Sequence, residues 1–159
     1  DLYFMGKQEL ETIALNIKTN KEIKTGSKPP KPWKKNEIGK VVVDSAFKVH
    51  VALDPGLLES VYEICLFHEL KSRGLKVRRQ IPIRIEYNGI KFEEGFRADL
   101  LVEDKVIVEL KSVEKQIPVH KKQVLTYLRL TDRRLGFLMN FGEALIKDGI
   151  TRIVNNLPG

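Results

Sequence analysis

The sequence predicts an α/β sandwich around a mixed sheet, on three observations. Two stretches, 37–53 and about 57–73, repeat apolar residues at helical spacing. The run "VRRQIPIRIEY" (77–87) alternates apolar and polar residues and runs into an Asn-Gly turn. A helical stretch opened by Pro118 then separates two further apolar, strand-like runs.

Taken in order, "KQELETIALNI" (7–17) places Leu10, Ile13, Ala14 and Ile17 on one helical stripe. Asp1–Phe4, ahead of Met5, read as a cloning remnant. A lysine-rich linker follows, in which Pro29, Pro30 and Pro32 prevent regular structure. The organisation expected is therefore an N-terminal helix and basic linker over 1–36, then one domain over 37–159. Within the domain, Ile38, Val42, Ala46, Val49 and Leu53 define the first helix, and "DPG" at 54–56 breaks it. The second helix stops at Gly74, because glycine alone enters a left-handed cap without steric cost. After the 77–87 strand and the Asn88-Gly89 hairpin come strands near 90–94, continuing through 97–102, and at 106–111. Pro118 opens a helix to about Leu130, and "LGFLMNF" (135–141) reads as a buried strand. Asp148-Gly149 is expected to turn a last hairpin between "ALIK" and "ITRIV".

Composition narrows the classes. At 159 residues, 42% hydrophobic and 31% charged, the chain suits one globular domain with a real core. No apolar run approaches the roughly 20 residues of a membrane helix, and no secretory signal pattern is visible. Cys65 is the single cysteine, which excludes an internal disulfide framework and a cysteine-rich zinc site, and makes the cytoplasm the default setting. His50, His68 and His120 share no metal-ligand spacing. Of the net charge of +7, residues 18–35 hold seven lysines against one acid, or +6, leaving +1 elsewhere. That basic excess belongs to the linker, where it either grazes phosphates or is simply solvated. Trp33 in the same arm stacks on a base or packs the arm down, and packing is favoured.

The chemistry concentrates in "RADLLVEDKVIVELKS" (97–112), where Asp99, Glu109 and Lys111 interrupt apolar strands. Side chains alternate along a strand, so Glu109 and Lys111 share a face. Asp99 joins them only in one register. A two-residue loop at Glu103-Asp104 sets Asp99 against Val108; a three-residue loop at 103–105, or a bulge, sets it against Glu109. Two carboxylates so close would force one to keep a proton unless a cation intervened. Hard divalent ions such as Mg²⁺ or Mn²⁺ suit such oxygen donors. The bland reading is a buried Lys–Glu pair or a cross-strand ion pair. "KSRGLKVRR" (71–79) gathers Lys71, Arg73, Lys76, Arg78 and Arg79 without an acid, either a grip for a nucleic-acid backbone or a wet face.

Asp99, nine residues, then Glu109-Leu110-Lys111 resembles the signature of the PD-(D/E)xK nuclease superfamily, with Ala98 standing where the name has proline. Gln123 and Tyr127, four apart on one helical face, resemble the Q-x-x-x-Y feature of its RecB-like members. Gly56, Glu59 and Tyr62 are similar to the pattern of the GxxExxY family, a branch of the same superfamily. The likeness covers about residues 37–156. It implies a restriction-endonuclease-like αβββαβ core with a mixed sheet flanked by helices. It implies Asp99 and Glu109 as ligands of Mg²⁺ or Mn²⁺, Lys111 as the catalytic lysine, Glu59 as a further acid, and Gln123 and Tyr127 lining the cleft. Tyr62, with Lys71, Arg73, Arg78 and Arg79, is expected on the substrate side. The expected activity is metal-dependent hydrolysis of phosphodiester bonds, in DNA before RNA. The alternative is a non-catalytic module of the same fold that binds nucleic acid or a protein partner. No membrane partner is expected, and the sequence leaves a homodimer open.

Overall fold

A computed structural model of the chain describes residues 32–156, of which those from Trp33 onward belong to one compact unit. The helix expected over 7–17 and most of the lysine-rich linker lie outside the described residues. Helix α1 (Lys35–Leu53) opens with the Lys34 N–H donating to the Glu37 carboxylate at 3.1 Å. It buries Ile38, Val42, Ala46 and Val49. Helix α2 (Glu59–Ser72) buries Tyr62, Leu66 and Leu70, and ends at Gly74, whose φ is +90°. There the Gly74 and Leu75 N–H groups donate back to the Lys71 and Leu70 carbonyls at 3.0 and 3.2 Å. This is the glycine stop that the sequence predicts.

Five strands form one sheet in the order β1-β2-β3-β4-β5. β1 (Val77–Tyr87) and β2 (Ile90–Val102) are antiparallel, joined at Asn88 and Gly89, both left-handed at φ 48° and 78°. The two segments expected over 90–102 are thus one continuous strand. β3 (Val106–Lys111) follows antiparallel to β2 after a three-residue loop, with Glu103 and Asp104 left-handed at φ 51° and 57°. Helix α3 (Pro118–Leu130) then carries the chain over to β4 (Leu135–Asn140), parallel to β3. A short helix α4 (Ile146–Gly149) leads into β5 (Ile150–Val154), antiparallel to β4.

That ending corrects one expectation: "ALIK" is not a strand. Ile146 is buried against the core, and Gly149 passes so close to β4 that an added Cβ would lie 2.3 Å from the Asn140 carbonyl oxygen. The glycine permits a close backbone approach rather than a hairpin turn.

The sheet is covered on both faces. One core, with residues such as Ile38, Tyr62, Leu100, Val108 and Phe137, lies between the sheet and α1 and α2. Trp33 packs against it, as expected. The other, with Ile83, Ala98, Ile107, Val124 and Leu128, lies under α3. Along β3 the alternation is regular: Val106, Val108 and Leu110 serve the first core and Ile107 the second. Along β1 and β2 it slips. Val77 and Leu100 serve the first core, whereas Ile83 and Ala98, an even number of residues away, serve the second. Both strands change face at the level of Gln80 and Asp99, and Gln80 is left-handed there, at φ 51°.

Candidate active site

The β2–β3 register answers the question left open by the loop. Leu100 pairs with Val108 and Val102 with Val106, so the next step outward sets Asp99 opposite Glu109. At that step side chains take over from the backbone ladder. The Asp99 N–H donates to Glu109 Oε1 at 2.9 Å, and the Leu110 N–H donates to Asp99 Oδ2 at 2.9 Å. Each carboxylate thus occupies a backbone donor of the opposite strand, and the two strands are prised apart around an acid pair.

Glu109 is only 8% exposed. Burial and then the Asp99 charge push its carboxyl up to about 9, while the Asp99 N–H and the Lys111 ammonium pull the other way. Glu59, the first residue of α2, is also raised, first by burial and then by the Asp99 charge, with Lys111 opposing. His120 is lowered by burial and by Lys111. The Lys111 charge thus acts on Glu59, Glu109 and His120 alike.

From α3, the Tyr127 ring stacks on Phe96 at 3.6 Å between centroids. Burial and then the Glu109 and Asp99 charges raise its phenol. Gln123, one turn earlier, is exposed on the same side of the helix. The structure thus joins Asp99 and Glu109 by direct contacts and sets Lys111, Glu59 and Tyr127 within their electrostatic reach. His120 is partly buried and lies within the field of Lys111.

Tyr62 and the basic run are placed elsewhere. Tyr62 is fully buried and stacks on Phe141 at 4.7 Å. Its hydroxyl accepts from the Leu57 N–H at 3.1 Å and donates to the Asp54 carbonyl. It therefore anchors the 54–58 loop, in which Gly56 is left-handed at φ +109°, and so sets where α2 begins and where Glu59 points. A side chain so buried meets no substrate. Of the basic run, Arg73 pairs with Glu69 at 3.0 Å and with Asp44, Arg78 with Asp104 at 3.0 Å, and Arg79 with Glu63 at 2.8 Å. Lys71 lies over the Phe67 ring at 4.8 Å. Much of the run's charge is compensated within the fold.

Two residues at the site escaped the sequence reading. Glu63, buried on α2, receives Arg79 and Gln80, and Gln80 also reaches Asp99 Oδ1 at 3.3 Å. The Asn88-Gly89 turn alone would set Gln80 against Arg97; an irregularity near 83–85 shifts the pairing by two and delivers it to Asp99. Gly95 was the available signal. It lies against Ile85, where an added Cβ would come within 2.0 Å of Cδ1, and a glycine inside a strand marks a bulge.

A family model described as the PD-(D/E)XK nuclease superfamily matches residues 36–153, and the chain belongs to that superfamily. Its mixed, helix-flanked sheet is the restriction-endonuclease-like fold. No curated protein matches. A solved crystal structure, of a protein designated SSO0001, is 16% identical, covering 98% of this chain and 80% of that one with a TM-score of 0.45. Among the described residues no helix is long and apolar enough to cross a membrane.

Nucleases of this superfamily generally use divalent metal ions, and the residues present fit one. Asp99 and Glu109 are paired hard oxygen donors, and burial and then the Asp99 charge raise the carboxyl of Glu109, a shift that a bound cation would oppose. Among the described residues no three His, Cys, Asp or Glu side chains form a full cage. Two carboxylates are a donor set that Mg²⁺ accepts, since it keeps several waters and takes one or two carboxylates plus substrate phosphate.

Proposed function

We propose that this protein is a nuclease that hydrolyses phosphodiester bonds in DNA with Mg²⁺ or Mn²⁺ held by Asp99 and Glu109. One observation supports the reading: carboxylates from adjacent strands each accept a backbone N–H of the opposite strand at 2.9 Å, with a lysine on the same strand face as Glu109. A buried ion pair needs one acid for one base, whereas here the acids outnumber the base. The bound ion would polarise a phosphoryl oxygen and lower the pKa of a water. Lys111 offsets charge that builds on the phosphate during attack. Glu59, its proton affinity raised, is placed to take up a proton released in the cleft. Tyr127 and Gln123 supply a hydroxyl and an amide to orient phosphate oxygens. The Gly56, Glu59 and Tyr62 spacing supports the GxxExxY branch, in which Gly56 and Tyr62 shape the loop that presents Glu59. Lys71 and Lys76, exposed and in no ion pair among the described residues, are the residues of the basic run best able to meet a phosphate.

The test is cleavage of single- and double-stranded DNA and RNA with Mg²⁺, Mn²⁺ or chelator, comparing wild type, Glu109→Ala and Lys111→Ala. Metal-dependent cleavage of DNA, lost in both variants, is expected. Cleavage that persists in both would assign the activity to a contaminant. Binding without turnover in any condition would make the protein a non-catalytic module of the same fold.

A further inference from the structure

We infer that Gln80 is a positioning residue for Asp99: a neutral amide wedged between two carboxylates that fixes how Asp99 presents itself to a metal ion. The inference rests on the reading of Asp99 and Glu109 as a metal-binding pair.

The Gln80 amide nitrogen reaches Glu63 Oε1 and lies 3.3 Å from Asp99 Oδ1. Both partners are carboxylate oxygens, so the NH₂ end must face them; the reversed amide would set its carbonyl oxygen against two acids. Glu63 is only 5% exposed and is held from its other side by Arg79, with Nη2 at 2.8 Å and Nε at 3.2 Å. A chain of contacts thus runs from Arg79 through Glu63 and Gln80 to Asp99. The Leu110 N–H takes the other oxygen, Oδ2, so both ends of the Asp99 carboxylate are oriented by protein donors. Each oxygen still has a second lone pair for a cation.

The backbone is bent to make this contact. Neighbouring residues in a strand point to opposite faces, yet Arg79 and Gln80 both touch Glu63. The left-handed φ of 51° at Gln80 breaks the alternation. A long side chain rarely adopts that region inside a strand, and it persists where the surroundings over-determine it. Charge also fits the role. An arginine or lysine at this position would neutralise the acid pair and compete with a metal ion, whereas an amide orients Asp99 and leaves its charge intact. Arg79 cannot supply that competing charge, because its guanidinium is committed to Glu63.

The test is calorimetric titration of the full chain with Mn²⁺, with a thermal unfolding midpoint for each protein. Glycine accepts a left-handed φ without strain, so Gln80→Gly keeps the backbone and removes only the amide. Gln80→Asn keeps the amide and tolerates the same φ, but is too short to span both acids. Both variants are expected to bind Mn²⁺ about 10- to 100-fold more weakly than wild type, as losses of such supporting contacts do. The midpoint of Gln80→Gly is expected to hold or rise, opposite in direction to its affinity, a split that a merely structural role would not produce. Wild-type Mn²⁺ affinity in both variants would overturn the inference and leave the metal reading intact. No Mn²⁺ binding by wild type would overturn the metal reading beneath it.

Discussion

Glu109 is where single-residue chemistry is most exposed to test. Its carboxyl is held up at about 9 in the fold against an ordinary value of 4.5. Between those values the folded state binds a proton that the unfolded state has released. The metal-free protein should therefore be most stable near the ordinary carboxyl value and lose stability as pH rises toward 9, by at most about 1.4 kcal/mol per pH unit for one proton. Urea unfolding in chelator from pH 5 to 9 reads this slope, and Glu109→Gln should flatten it; an equal slope in the variant would remove the assignment. Lys111→Ala should lower single-turnover cleavage by about 10²-fold or more, as loss of one charge-stabilising group does. Its Mn²⁺ affinity should be retained or improved, because the removed ammonium repels a cation. Equal loss of both would make Lys111 a structural partner of the acids. Tyr62→Phe should weaken turnover through the 54–58 loop and leave nucleic-acid affinity unchanged; a loss of affinity would return Tyr62 to the substrate side.

Between elements, the ends of the two parallel strands set the cleft. Asn140, fully buried at the end of β4, accepts from the Val113 and Gly142 N–H groups at 3.1 and 3.0 Å and donates to the Val113 carbonyl at 2.9 Å. With the Phe141 N–H donating to the Lys111 carbonyl at 2.8 Å, this pins the chain leaving β3 directly beyond Lys111. Asn140→Ala would remove the side-chain partner of three partly buried backbone groups and should cost about 1–3 kcal/mol of unfolding free energy. Gly142→Ala acts on the same junction, since its Cβ would fall 2.2 Å from the Val113 carbonyl oxygen. It should cost about 1–3 kcal/mol. Denaturant midpoints check both, and a neutral Gly142→Ala would mean that the 112–113 segment is free to move. The elements themselves were legible beforehand, because helical period, glycine stops and the Asn-Gly turn are local. The 144–147 segment misled for the same reason: Ala144, Leu145 and Ile146 before Asp-Gly read locally as a strand, whereas Ile146 turns into the core and a short helix begins there.

Across the whole molecule, charge is distributed otherwise than a linear count suggests. The run at 71–79 is largely neutralised by Asp44, Glu63, Glu69 and Asp104, whereas the lysines of 18–35 lie mostly beyond the described residues. Substituting Lys18, Lys21, Lys24, Lys28 and Lys31 by glutamine in the full chain should weaken DNA binding. It should also lower the slope of log K against log salt by up to about 0.9 for each lost phosphate contact. An unchanged slope, read by fluorescence anisotropy across salt concentrations, would make that stretch a plain linker.

The order of helices and strands, the two apolar layers and the spacing of Asp99, Glu109 and Lys111 could be read from the chain, because each follows from periodicities of a few residues. Which acid faces which could not: that turned on the three-residue loop with two left-handed residues, and the meeting of Gln80 with Asp99 turned on the bulge near Gly95, whose effect is felt only across strands. The neutralised arginines and the Gln80 contact were equally hidden, because, Glu69 beside Arg73 apart, the partners come from segments 16 to 29 residues away. Pattern along a chain reports which face a residue prefers; register and folding-back set what it meets there.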